Sequence, residues 1–125
     1  MMYFAPFGNL EYSIGWRKNI TVAFFGCEYS VVLKLHSYRE EDPITEKQIE
    51  AYEWYLSNGV KAIETAQIAL SEGFDNADTR FAPSMLLISR KGEIALLCDD
   101  AELPDEGIAI VLDESIQIIS QDDYL

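Results

Sequence analysis

Alternation of apolar and polar positions is sharpest between Tyr29 and His36. There Tyr29, Val31, Leu33 and Leu35 interleave with Ser30, Lys34 and His36, and only Val32 breaks the pattern. A period of two predicts a strand with one buried face. Just upstream, Ile20, Val22 and Phe24 alternate with Thr21, Ala23 and Phe25, a strand apolar on both faces, and Gly26 with Cys27 makes the turn between the two. A shorter strand is expected over Asn9 to Gly15, with Leu10, Tyr12 and Ile14 on one side, a turn near Gly15, and Trp16 covering an edge of the core. The carboxy-terminal part repeats the scheme. Met85 to Ser89 and Ile94 to Cys98 flank Arg90, Lys91 and Gly92, which predicts a hairpin with glycine at the positive backbone angle. Ile108 to Leu112 and Ile116 to Ile119 form a last pair joined through Asp113, Glu114 and Ser115, ahead of a short acidic tail from Gln121 to Leu125.

Between these two meanders the period changes. From Thr45 to about Phe74, Ile49, Tyr52, Leu56, Val60, Ile63, Ala66 or Gln67, and Leu70 recur at spacings of three and four, while Glu46, Glu50, Glu53, Lys61 and Glu64 fall elsewhere. Pro43 ends the charged linker Arg39 to Asp42, Thr45 can cap, Gln48 can complete a capping box, and Ile44 with Ile49 can form a hydrophobic staple. Ser57, Asn58 and Gly59 are poor helix-interior residues, so a kink or brief break is expected there. Gly73, Asp75, Asn76 and Asp78 end the helix, and the stretch to Pro83 reads as loop. The expected fold is a single α+β domain over residues 1–125: an antiparallel sheet of about six or seven strands, in two meanders, with one long, kinked helix across a face. The periodicity leaves open whether the strands form one sheet or two.

Charge adds a polarity to this fold. The net charge is −13, with 22 acidic and 9 basic residues among 125, and no Lys or Arg follows Lys91. The surface field of such a chain repels nucleic acid and anionic membrane and attracts cationic partners. The bland alternative is that the acidity maintains solubility. The opening Met1-Met2-Tyr3-Phe4 has neither a basic leader nor a sustained apolar run, and no window approaches the roughly 18 apolar residues of a membrane span, so a cytoplasmic location is expected. In a reducing compartment Cys27 and Cys98 read as small buried core residues, without a disulfide.

Candidate chemistry is sparse. The densest acidic run, Asp99 to Glu106, fails the alternate-ligand spacing of a calcium loop because Ala101 and Leu103 occupy ligand positions, and Asp75 to Asp78 fails similarly. His36, the only histidine, has no partner that sequence places beside it, and neither cysteine has a nucleophile or zinc motif. No glycine-rich phosphate loop occurs. No catalytic residue, metal or cofactor is therefore assigned, and the chain is not expected to be an enzyme. Tyr52, Trp54 and Tyr55 form an aromatic cluster of the kind interfaces use; Tyr52 is assigned to the core, and one of Trp54 and Tyr55 to a partly exposed flank.

Several stretches carry a resemblance. Phe25-Gly26-Cys27-Glu28-Tyr29 with Val31, Leu33 and Leu35, then Ile44-Thr45 with Gln48, Ala51 and Tyr52, resembles a family of small acidic uncharacterised bacterial proteins. Gly92 to Leu97, Gly107 to Leu112 and the ending Gln121 to Leu125 look like that family's carboxy-terminal signature, read as the more specific agreement. Small acidic domains of this type include immunity proteins of polymorphic-toxin and contact-dependent inhibition systems. The family supplies no catalytic residues, and where members often carry an acid followed by histidine and glycine this chain has Asp105-Glu106-Gly107. The resemblance implies a protein-binding module that neutralises a cationic, nuclease-like toxin. The expected contact region is Asp99, Asp100, Glu102, Asp105 and Glu106, with Glu40, Glu41 and Asp42 as a second patch. A structural or regulatory domain, conceivable as a homodimer, is the alternative, and the oligomeric state stays open.

Overall fold

In the computed structural model the described residues are 2–13, 15–113 and 115–124. Ile14, Glu114 and Leu125, each assigned a place above, lie outside them. The strands are β1 (Met2–Phe4), β2 (Gly8–Tyr12), β3 (Trp16–Phe24), β4 (Cys27–Leu35), β5 (Phe81–Ile88), β6 (Ile94–Asp100), β7 (Gly107–Val111) and β8 (Gln117–Ser120). They form one eight-stranded sheet in sequence order. Six of the seven junctions are antiparallel; β4 and β5 run parallel, Val32 to Leu35 beside Met85 to Ile88. A parallel pair needs a crossover, and the long helix α1 (Glu46–Gly73) provides it. The two meanders are thus halves of one sheet, and the α+β expectation holds with more strands than the six or seven anticipated.

Helix α1 begins as its sequence dictates. The Gln48 backbone N–H donates to Thr45 Oγ1 at 3.1 Å, and the Gln48 side-chain oxygen accepts from the Thr45 N–H at 3.0 Å. Gln48 itself is buried, and its side-chain NH2 donates to His36 O at 3.0 Å and Ile88 O at 3.3 Å. One glutamine therefore closes the cap and joins the carbonyls where the parallel strands β4 and β5 end.

Two features of the helix differ from expectation. It runs unbroken for 28 residues through Ser57, Asn58 and Gly59. Gly59 is buried, and a Cβ there would stand 2.8 Å from the Tyr55 ring, so glycine makes room for the aromatic above it. The buried face is also rotated: Gln48, Ala51, Tyr52, Gly59, Ala62, Ile63, Ala66 and Leu70 point inward, while Leu56 and Val60 face solvent. Small residues let the helix lie close to the sheet, whose Leu33, Leu35, Leu86, Ile88, Leu96 and Ile110 supply the bulk. A reading weighted towards large side chains finds the flank of the stripe instead of its centre.

After Phe74, which caps in an extended conformation, the stretch expected as loop holds a short helix α2 (Ala77–Arg80) and the start of β5. Pro83 sits inside β5, where a register shift falls and pairing to β4 has not yet begun, so its missing N–H costs no ladder bond on that side. The tail forms a short helix α3 (Gln121–Tyr124) that lies on the sheet face opposite α1, with Tyr124 packed near Ala95, Leu97 and Ala109. Trp16, expected to cover an edge of the core, is buried within the core cluster at the start of β3, paired on both sides. Cys27 is exposed at the start of β4, contrary to its core assignment, because the turn is made one residue earlier by Phe25 and Gly26, both at positive φ.

Candidate functional site

The acidic run is divided by the fold. Asp99 and Asp100 belong to β6, and residues 101–106 form the link to β7. Along β6, side chains alternate between faces, so Asp99 is exposed and Asp100 points to the α1 side, 4% exposed. A buried carboxylate requires a partner. Arg80, at the end of α2, supplies one: its Nε and Nη2 reach the two Asp100 carboxylate oxygens at 2.8 and 2.9 Å, a bidentate pair. The guanidinium lies 5.0 Å from the ring centres of both Phe74 and Phe81, and its Nε also stands 2.9 Å from Glu102 Oε2. Two backbone bonds complete the joint: Ala101 N–H to Arg80 O at 2.8 Å, and Glu102 N–H to Asp100 Oδ1 at 3.0 Å. The hydrogen bonds from Arg80 hold the Asp100 carboxyl below its ordinary range, against the opposing push of burial.

Beyond this joint the link is closed by a turn in which Glu106 N–H donates to Leu103 O at 2.9 Å. Pro104 suits the second position of such a turn. Asp105 and Glu106 are exposed on it, and Glu102 keeps most of its side chain in water despite its contact with Arg80. Of the five acids assigned to this region, the fold thus leaves four at the surface and takes Asp100 into the interior. Asp100 is a structural anchor, and the reason is its face on β6.

In the second patch Glu40 and Glu41 are exposed, and Asp42 is partly shielded, 3.4 Å from Arg39. No hydrogen bond or ion pair joins this patch to the 101–106 link among the described residues.

The remaining chemistry-bearing side chains do not converge. Among the described residues no three His, Cys, Asp or Glu side chains gather as metal ligands. The His36 ring is half-buried beside Tyr38, centres 4.9 Å apart. Burial, reinforced by Asp99, pushes the Cys98 thiol up to about 12, which keeps it protonated at neutral pH. Tyr52 is in the core against Phe7 and stacks on Tyr55 at 6.3 Å. Both Trp54 and Tyr55 are half-buried, on opposite flanks of α1: Trp54 beside a cleft of about 360 Å³ shared with Lys91, Glu93 and Asp113, and Tyr55 beside a groove towards β3. Sequence reasoning missed Arg80, whose only local sign is a lone base after an acid- and asparagine-rich stretch.

With this geometry in hand, comparison with known families gives one match, over residues 6–84. The chain belongs to the family described as Domain of unknown function (DUF6985). No curated protein and no solved structure matches it. The DUF6985 match spans β2 to the first half of β5, including the Phe25-to-Leu35 and Ile44-to-Tyr52 stretches on which a resemblance was noted. The segments Gly92 to Leu97, Gly107 to Leu112 and Gln121 to Leu125, read above as the more specific signature, fall outside it, as does the acidic link. No helix among the described residues is long and apolar enough to cross a membrane.

Proposed function

We propose that this DUF6985 protein acts by binding another protein, as an immunity-type module that neutralises a cationic, nuclease-like toxin in the cytoplasm. The observation that carries the reading is the acidic run: Asp99 is exposed on β6, and Glu102, Asp105 and Glu106 are exposed on the link that follows it, which is fixed at its base, in a chain without a base after Lys91. A nuclease presents positive charge to hold phosphates, and an acidic surface held in place gains association rate and orientation against it. A fixed base also lowers the ordering cost of binding. Glu40 and Glu41 are the second contact patch in this reading, and Asp100 contributes through Arg80 rather than by touching the partner. The module works without catalysis, metal or cofactor.

A second reading, a structural or regulatory domain whose acidity maintains solubility, is favoured by the engagement of Asp100 and Glu102 with Arg80, which gives part of the acidic run an internal use. Co-expression with the product of the neighbouring upstream reading frame separates the two. The immunity reading expects rescue of cell growth and a complex whose association slows steeply as salt shortens the screening length to about 10 Å at 0.1 M. Complex formation unchanged between low and high salt would sink the electrostatic mechanism, and neither toxicity nor complex would leave the structural reading.

A further inference from the structure

Helix α1 does not close completely on the β3–β4 hairpin. A groove of about 390 Å³ runs between them, with Val22 and Ile63 in its floor, Tyr55 and Ala23 in its walls, and Leu56 and Val60 on its rim. The rim residues are 61% and 78% exposed, high values for large aliphatic side chains on an ordered helix. Further along, beyond Gln67, a second hollow of about 360 Å³ lies between Phe25 and Ile68, and Ile68 is 61% exposed. From Leu56 to Ile68 the two hollows span about 18 Å along the helix, at 1.5 Å per residue, with Glu64 and Gln67 between them.

Phe25 has φ of 50°, a left-handed conformation that a bulky side chain rarely adopts, and its N–H donates to Gln67 Oε1 at 2.7 Å. That conformation is the one the two-residue hairpin turn of Phe25 and Gly26 requires, and the bond ties the hairpin tip to α1 beside the groove.

Charge selects the occupant. Glu64 lines the groove itself, and Glu53 lies three residues before Leu56 and seven before Val60 on the exposed side of α1; Lys61, three residues before Glu64, turns to the cleft it lines with Trp54, Asn58 and Thr65. A second copy of this chain or an anionic lipid surface would meet like charge here. We propose that the groove docks a basic amphipathic helix of a partner protein, its aliphatic side chains entering beside Leu56 and Val60 and its Lys or Arg residues facing Glu53 and Glu64. The groove is built from different elements than the 101–106 link, so it stands or falls independently of it.

The test uses the full chain and a fluorescent helical peptide of leucine and lysine, about 18 residues long, with leucines at spacings of three and four. A peptide of the same composition in scrambled order is the control for plain charge attraction. Fluorescence anisotropy is expected to show the patterned peptide binding at least about tenfold more tightly than the scramble. The double variant Leu56→Ser, Val60→Ser should lose about tenfold of that affinity while keeping its Tm, since both side chains are exposed. The variant Asp105→Asn, Glu106→Gln should bind as the parent does. Equal binding of the scramble, undiminished binding by the Leu56 and Val60 variant, absence of binding, or a dimer abolished by that variant would each overturn the proposal.

Discussion

Asp100 and Arg80 illustrate how one face of one strand decides the role of a charge. Replacing Asp100 with Asn keeps the shape but leaves the guanidinium, between two phenyl rings, with only the largely exposed Glu102 as counter-ion, so Tm at pH 7 should fall by roughly 5–10 °C. The effect has a defined pH dependence. The hydrogen bonds from Arg80 lower the carboxyl pKa in the folded state, so its contribution is complete above the unfolded carboxylate value and is lost as pH falls through the folded one. Denaturant titrations of parent and Asp100→Asn should therefore differ most at neutral pH, and the difference should begin to shrink below about pH 4 and go on shrinking as pH falls through the lowered folded value. A constant gap down to pH 2 would assign the loss to packing alone. Arg80 and Asp100 lie 20 residues apart and meet only because β5 pairs with β6, which is why the pair was not legible in the sequence.

At the scale of the element, α1 was the most legible part of the chain. Its start, its capping box and its approximate end follow from local chemistry, and local chemistry is what a sequence displays. Its rotation is not local: it depends on how closely the sheet lets the helix approach, and Ala51, Gly59, Ala62 and Ala66 answer that question without standing out as hydrophobic. Two variants probe the difference. Thr45→Ala removes the acceptor for the Gln48 N–H and should cost about 1 kcal/mol. Gln48→Glu keeps the box but cannot donate to His36 O and Ile88 O, and the buried carbonyls should make it the costlier change, by about 1–3 kcal/mol more. Chemical denaturation in urea ranks them; equal losses would mean that the bridge between β4 and β5 contributes nothing. Gly59→Ala is a third probe. Alanine gains about 1 kcal/mol of helix propensity, yet its methyl would meet the Tyr55 ring at 2.8 Å. Net destabilisation is expected, relieved by Tyr55→Ala in the same chain.

For the whole molecule the decisive feature is the junction that sequence periodicity left open. Alternating strands look alike whether they belong to one sheet or two, and only the parallel seam of β4 and β5, crossed by α1, makes the halves a unit. If the seam unites them, they unfold together. Cys98 reports on the carboxy-terminal half: it is buried in the core cluster, and its protonated thiol is shielded from reagents until the sheet opens. In a Cys27→Ser background, which removes the exposed thiol, the urea midpoint for Cys98 labelling should coincide with the midpoint for loss of helical circular dichroism. Leu86→Ala, a fully buried position on β5 beside the seam, should lower both midpoints together, with a loss of about 2–5 kcal/mol. Separation of the two curves, in the parent or in the variant, would show that β5 to β8 form a unit independent of the helix. Coincidence would mean that the acidic link and the groove on α1, though built from different halves, sit on one cooperative scaffold, so that ligand bound at either site stabilises both.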